Sequence, residues 1–289
     1  MAFPSSRAKV AVALLIGALS LVPGYLAKAL AGSGQVMHLT LRTRVQPFKA
    51  DRGWQEENLQ WDIPTNETAL IICDMWDKHW CTGAAKRVDI LAQKMVAVID
   101  VARNHGIVII HAPSETMDFY RDYPQRKRML DIPRLNPPLL LNIARPPLPV
   151  DAADGGCDTS PPDTEFTAWK QENSAITIHD ADFISDDGSE VYSLLRRRGV
   201  KNLLVMGVHT NMCVLNRTFA IRQMTERGIR CILVRDLTDS LYNPKDPPYV
   251  SHDQGTELVI EYIEQNYCPT ILSRDLVSAL VKAETASQN

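Results

Sequence analysis

After residue 68 the chain repeats one pattern that leaves few folds open to it. Short, continuously apolar runs alternate with longer segments whose apolar residues fall at helical spacing. The runs are Ala69 to Cys73, Ile107 to Ile110, Ile176 to Ile178, Asn202 to Met206, Cys231 to Val234 and Thr270 to Leu272. Runs this short, with no polar alternation, read as strands buried on both faces. Between them, Val88 to Asn104 carries Ile90, Leu91, Met95, Val98, Ile99 and Ala102 and stops at Gly106. Glu190 to Arg198 stops at Gly199, Cys213 to Arg227 stops at Gly228, and Thr256 to Gln265 and Asp275 to Lys282 follow. Glycine after a helical run is a stop signal. The alternation predicts an α/β fold, a parallel sheet covered by helices on both faces and joined by right-handed crossovers.

Two segments depart from this rhythm. Within Met37 to Asp62, the stretch His38 to Val45 alternates polar and apolar residues, a turn holds Gly53, and a second short segment surrounds Leu59. This predicts an N-terminal β-hairpin appended to the main domain. Ser114 to Ser174 is rich in Pro, Asp and Gly and too long for a plain connection, so it is expected to be a functional insertion or flap. The expected organisation is a signal peptide over 1–31, an extension with the hairpin over 32–66, and a main domain over 67–285 with its insertion at about 114–174.

The signal peptide rests on Arg7 and Lys9, the apolar stretch Val10 to Leu26, and the small-x-small Ala29-Leu30-Ala31. An uncleaved anchor is the alternative. The expected location is periplasmic or extracellular, with no stable membrane association once the signal is removed. A net charge of -3 and the lack of a basic run interleaved with aromatics argue against nucleic acid as a partner. Six cysteines enter a compartment that permits disulfides. Cys73 and Cys231 lie in strand-like runs, whereas Cys81 and Cys157 lie in loop-like sequence, where a bridge between them is one option among many. No paired CxxC spacing suggests structural zinc.

Ligands of an open parallel sheet bind beyond the carboxyl ends of its strands. Asp74 follows the first run, His111 the second, His179 the third, and Gly207 to Cys213 the fourth. Cys213 opens a helix, where free N–H groups favour a thiolate and could hold an oxyanion. A buried structural cysteine is the alternative. A carboxylate at the end of an apolar strand is partly desolvated and suited to carry a proton, as Asp74 would be. It could equally serve as a helix cap or salt-bridge partner.

Ala69 to Trp76 and Gly207-Val208-His209-Thr210-Asn211-Met212-Cys213-Val214 resemble the isochorismatase-like cysteine hydrolases, which include nicotinamidases and other small-molecule amidohydrolases. The resemblance spans roughly Thr68 to Leu280. It implies a six-stranded, mostly parallel sheet and an Asp, Lys and Cys triad with Asp74 and Cys213 in the first and last roles. It also implies a cis peptide, here Val208–His209, and an oxyanion site made by the N–H groups of His209 and Cys213. The family lysine is missing, since no Lys lies between Lys170 and Lys201. His179 stands in its expected slot and could supply charge while protonated; Lys170 could reach in only if the third strand lies elsewhere. The Asp-x-His metal motif of nicotinamidases is also missing, so no metal or other cofactor is expected, though Asp77, His79 and His111 remain candidate ligands beside their reading as a polar rim. Trp76, His111 and His209 are expected to bind substrate. Arg217, Arg222 and Arg235 could bind an anion, with plain surface placement as the alternative.

The expected function is hydrolysis of a C–N bond in a small amide or ureide through a cysteine thioester. The alternative is a catalytically silent binding protein on the same fold. The partner is a small-molecule substrate, with room for a homo-oligomer.

Overall fold

The structure, a computed structural model, describes residues 35–48, 53–140, 145–161 and 163–287. The expected signal segment 1–31 lies outside the described residues. Among the described residues, no helix is long and apolar enough to cross a membrane.

The described residues open with β1 (Val36–Val45) and β2 (Gln55–Pro64), then run through β3 (Thr68–Cys73), α1 (Thr82–Asn104) and β4 (Val108–Ala112). The insertion holds α2 (Met117–Tyr120) and α3 (Pro124–Leu130). There follow β5 (Phe183–Ile184), α4 (Gly188–Arg198), β6 (Asn202–Val208), α5 (Cys213–Asn216) and α6 (Ile221–Glu226). The chain ends with β7 (Arg230–Asp239), α7 (His252–Asn266), β8 (Thr270–Ile271) and α8 (Ser273–Ser287).

The sheet order is β2-β1-β8-β7-β6-β3-β4-β5. Strands β3 to β8 are mutually parallel, which gives the six parallel strands expected. The hairpin does form, but it is no separate appendage: β1 pairs antiparallel with β8 through Arg42 and Thr270 and carries the sheet to eight strands.

The pleat sorts each apolar run into two cores. Ala69, Ile71 and Cys73 face a core built with α4, α6 and α7, while Leu70 and Ile72 face one built with α1 and α8. Successive side chains on a strand point to opposite faces, so one continuous apolar run serves both layers. Burying each such side chain contributes about 1.5–3 kcal/mol. Near the centre of this sheet Gly207 has φ +125°, and a Cβ there would stand 2.0 Å from the carbonyl oxygen of Cys73. Only glycine lets β6 approach β3 this closely.

Two local expectations fail. Ile176 to Ile178 is irregular, with Ile176 buried in the α1 core, and the strand at that edge is the two-residue β5. Two residues are too few to signal a strand by pattern. The helix expected over Cys213 to Arg227 breaks at Arg217, whose φ of -55° and ψ of 150° are extended.

His111 also departs from its expected role. It is fully buried, on the α1 face of β4, with Nδ1 2.7 Å from Glu172 and Nε2 3.1 Å from Asp182. Arg103 donates to Asp182 as well. Burial opposes the imidazolium, but the two carboxylates outweigh it and raise the pKa to about 9. Burial likewise opposes the Asp182 charge, and hydrogen bonds from His111 and Arg103 hold its pKa below the usual carboxylate range. An unfolded histidine titrates near 6.5. The stabilisation from His111 is therefore complete below about pH 6.5 and is lost as pH rises through about 9, while that from Asp182 is present above about pH 4 and lost on acidification. The melting temperature should fall by several degrees between pH 7 and 9, and His111→Gln should flatten that slope. An unchanged slope in the variant, followed by circular dichroism, would discard the assignment.

Candidate active site

The site is built where β3 and β6 end. At the end of β3, Asp74 takes φ 49°, a left-handed backbone that aspartate tolerates better than most residues and that concentrates at functional positions. Its N–H donates to Ala112 O, and its carboxylate is fully buried. Oδ1 accepts from the Ser114 N–H at 2.8 Å, and Oδ2 accepts from Arg217 Nε at 3.0 Å. Burial pushes the Asp74 carboxyl up, and Arg217 and the hydrogen bonds from Cys213 and Ser114 pull it partly back.

At the end of β6, Val208–His209 is a cis peptide, as the resemblance implies. The His209 carbonyl accepts from the N–H groups of Met212 and Val214, winding the chain into α5 with Cys213 at its first position. The His209 N–H donates toward Cys213 Sγ, and Sγ is also hydrogen-bonded to Asp74. The Cys213 N–H has no backbone acceptor among the described residues. Contrary to the expected lowering, the Cys213 thiol is pushed up, by burial first and by the Asp74 carboxylate second. A helix of one turn has too little dipole to offset these effects. The resting pair is a neutral thiol facing a carboxylate.

The cation beside this pair is Arg217, four residues after Cys213. Its Nε reaches Asp74 and its Nη2 reaches Glu115 at 3.0 Å. His179 does not take that part. It is exposed and lies outside the residues that line the cavity at Cys213. Because the edge strand is Phe183–Ile184, position 179 precedes its start, on the rim opposite the carboxyl ends. Lys170 is exposed too and stays outside the cavity lining; its N–H donates to Asp77.

A cavity of about 320 Å³ opens over Cys213, and Trp76 and His209 are among the residues that line it. Trp76 donates from Nε1 to Ser114 O and stacks on Trp169 at 4.1 Å between centroids. His79 and His209 face each other with their Nε2 atoms 3.2 Å apart. His79 Nδ1 accepts from the Cys81 N–H, so its proton sits on Nε2 and points at His209. His209 then carries its proton on Nδ1, toward Asp239 O. Burial holds both rings neutral, with pKa values lowered to about 4 for His79 and about 3 for His209. In this arrangement the facing nitrogens are committed to one another and His79 has no lone pair left for a metal. The other metal-capable group among the described residues is Cys81, Cys157 and Asp163, and there the two sulfurs are joined as a disulfide.

The insertion closes the cavity from outside, contributing Glu115, Gly155, Glu165, Phe166, Thr167 and Trp169 to its wall. Several ties hold it down. The Cys81–Cys157 disulfide closes a loop of sequence separation 76, which contributes about 4 kcal/mol in the chain-entropy account. Asp77 Oδ1 accepts the N–H groups of Lys170 and Gln171; Thr82 bonds Asp163; Arg87 pairs with Asp158. Sequence reasoning flagged the insertion but missed its wall residues, since nothing local distinguishes Glu165 or Trp169 from other loop positions. Arg217 did carry a signal: its spacing from Cys213 is one helical turn.

The family model for the isochorismatase domain matches residues 68–247. Among solved structures, a cysteine hydrolase from Pseudomonas syringae pv. phaseolicola 1448A is 18% identical with a TM-score of 0.50, covering 77% of this chain and 96% of that one. An isochorismatase from Pseudomonas putida KT2440 is 16% identical with a TM-score of 0.46, covering 73% and 91%. An isochorismatase family protein from Burkholderia thailandensis is 15% identical with a TM-score of 0.44, covering 75% and 96%. At such identities the likeness is one of fold. No curated protein matches the chain.

Proposed function

Since the chain belongs to the isochorismatase family and is a hydrolase of that kind, we propose that it cleaves a C–N bond of a small amide or ureide through a thioester on Cys213. The observation that carries this reading is the meeting of Cys213, Asp74 and Arg217, with Cys213 and Arg217 in the wall of one cavity and Asp74 buried behind them. Asp74 takes the thiol proton as sulfur attacks the carbonyl, and the N–H groups of His209 and Cys213 receive the oxyanion. Asp74 returns the proton to the departing nitrogen, the C–N bond breaks, and an amine or ammonia leaves. Asp74 then deprotonates a water molecule, which attacks the thioester and releases the acid and the free thiol. A panel of small amides and ureides tests the reading, with intact mass after acid quench showing the acyl adduct on Cys213. Turnover of no member, with no adduct, would remove it.

Arg217 answers the argument for a silent binding protein, which rested on the missing lysine. Its charge persists across neutral pH and offsets the negative charge that Asp74 and the attacking sulfur share. Arg217→Met should lower kcat/KM by roughly a hundredfold or more. Asp74 must be ionised to act, and loss of its cation raises its pKa, so the acid limb of the pH profile should move to higher pH. Arg217→Lys should recover part of the loss. A Met variant with the parental profile would show that Arg217 serves only the fold.

Export is part of the same proposal, resting on the N-terminal segment and agreeing with a disulfide that ties the lid. The intact mass of protein recovered from outside the cytoplasm should correspond to a chain starting at Gly32. A mass that retains Met1 to Ala31 would show an anchor instead.

A further inference from the structure

The cavity before Cys213 carries a charge pattern that bears on what enters it. Its cation, Arg217, has Nε on Asp74 and Nη2 on Glu115, so its charge is offset twice before any substrate arrives. His79 and His209 are uncharged and occupied with each other. Glu165, on the lid side of the wall, is exposed and takes part in no side-chain hydrogen bond or ion pair among the described residues. The rest of the wall holds four aromatic side chains, Trp76, Trp80, Phe166 and Trp169, beside smaller and aliphatic residues. A carboxylate or phosphate entering here meets two glutamates and an arginine already paired twice, and Trp169 Nε1, an orphaned buried donor in the wall, carries no charge to hold it. A cation meets the Glu165 carboxylate beside the exposed ring of Phe166 and the indoles of the wall, of which Trp76 and Trp169 each give one face to the other, and aromatic quadrupoles attract positive charge.

We infer that the non-reacting end of the substrate is cationic: an ammonium, amidinium or quaternary ammonium group lodged between Glu165 and the aromatic wall, with the scissile carbonyl at Cys213. This rests on the cysteine-hydrolase reading and adds to it a charge class for the substrate.

The test uses Cys213 itself as reporter and needs no known substrate. The protein is treated with a matched pair of methanethiosulfonates, one bearing a trimethylammonioethyl group and the other a sulfonatoethyl group. Rates at Cys213, located by peptide mass, are normalised to those of each reagent with 2-mercaptoethanol. The cationic reagent should be favoured by roughly tenfold or more, and Glu165→Lys should erase or invert that ratio. Equal rates, a preference for the anionic reagent, no modification of Cys213, or a ratio that Glu165→Lys leaves unchanged would each overturn the inference. Turnover of betaine amide against its uncharged isostere 3,3-dimethylbutanamide keeps the two readings apart. Faster hydrolysis of the neutral amide overturns the charge preference and leaves the hydrolase reading standing. Faster hydrolysis of the cationic one supports both.

Discussion

Cys213→Ala is expected to abolish turnover, a loss on the order of 10⁴-fold or more, in a protein that still folds. The sulfur is the atom that would form the thioester, and no other thiol can replace it: Cys73, Cys231 and Cys268 are buried and Cys81 is bonded to Cys157. Alanine suits the first position of α5, where backbone bonds to the His209 carbonyl set the turn. Cys213→Ser should fare little better, because burial and the neighbouring carboxylate already resist deprotonation of a thiol and resist that of a hydroxyl more. Melting curves and kcat/KM on any amide turned over by the parent decide the matter. A folded alanine variant with near-parental rates would sink the nucleophile assignment.

Asp74→Asn should cost on the order of 10²–10⁴-fold, the usual range for a lost general base. The single amide oxygen can keep only one of the two bonds that Asp74 accepts, from the Ser114 N–H or from Arg217 Nε, and leaves its NH2 facing the other donor, so melting curves must accompany the kinetics while proton transfer is lost. The pH profile gives a second readout. Burial raises the Asp74 pKa, so the parent should lose activity on acidification earlier than an ordinary carboxylate would dictate. In the Asn variant that acid limb should vanish. An acid limb that persists unchanged would place the essential ionisation elsewhere.

How far these residues could be read from sequence follows from how local their determinants are. The runs Ala69 to Cys73 and Asn202 to Met206 announced their strands because burial on both faces leaves no polar alternation. Asp74 and Cys213 followed, since position after a strand of a parallel sheet is a sequence property once the strand is known. His179 was misplaced by one wrong strand. The true edge strand, Phe183–Ile184, is held by β4 and is too short to show a period of its own. His111 stood at a correct strand end, but which way it faced depended on Glu172 and Asp182, 61 and 71 residues away in sequence. The hairpin was visible as a hairpin; that it would dock on β8 was not, because β8 pairs with it through a single residue, Thr270.

The position of Arg217 has a bearing on how such an enzyme can change. The proposed nucleophile and its counter-ion sit within five consecutive residues, Cys213 to Arg217, with the proposed base across from them at the end of a core strand. The resemblance implies a relative in which the cation comes from a separate segment, upstream of the nucleophile. Here that upstream chain carries no part of the proposed proton transfer, and the lid shapes the chamber above it. Mutations in the lid can alter which molecules are admitted while the reacting groups keep their spacing. Selectivity can therefore drift on one stretch of chain while reactivity is preserved on another, and a lineage built this way can try new substrates without first losing its chemistry.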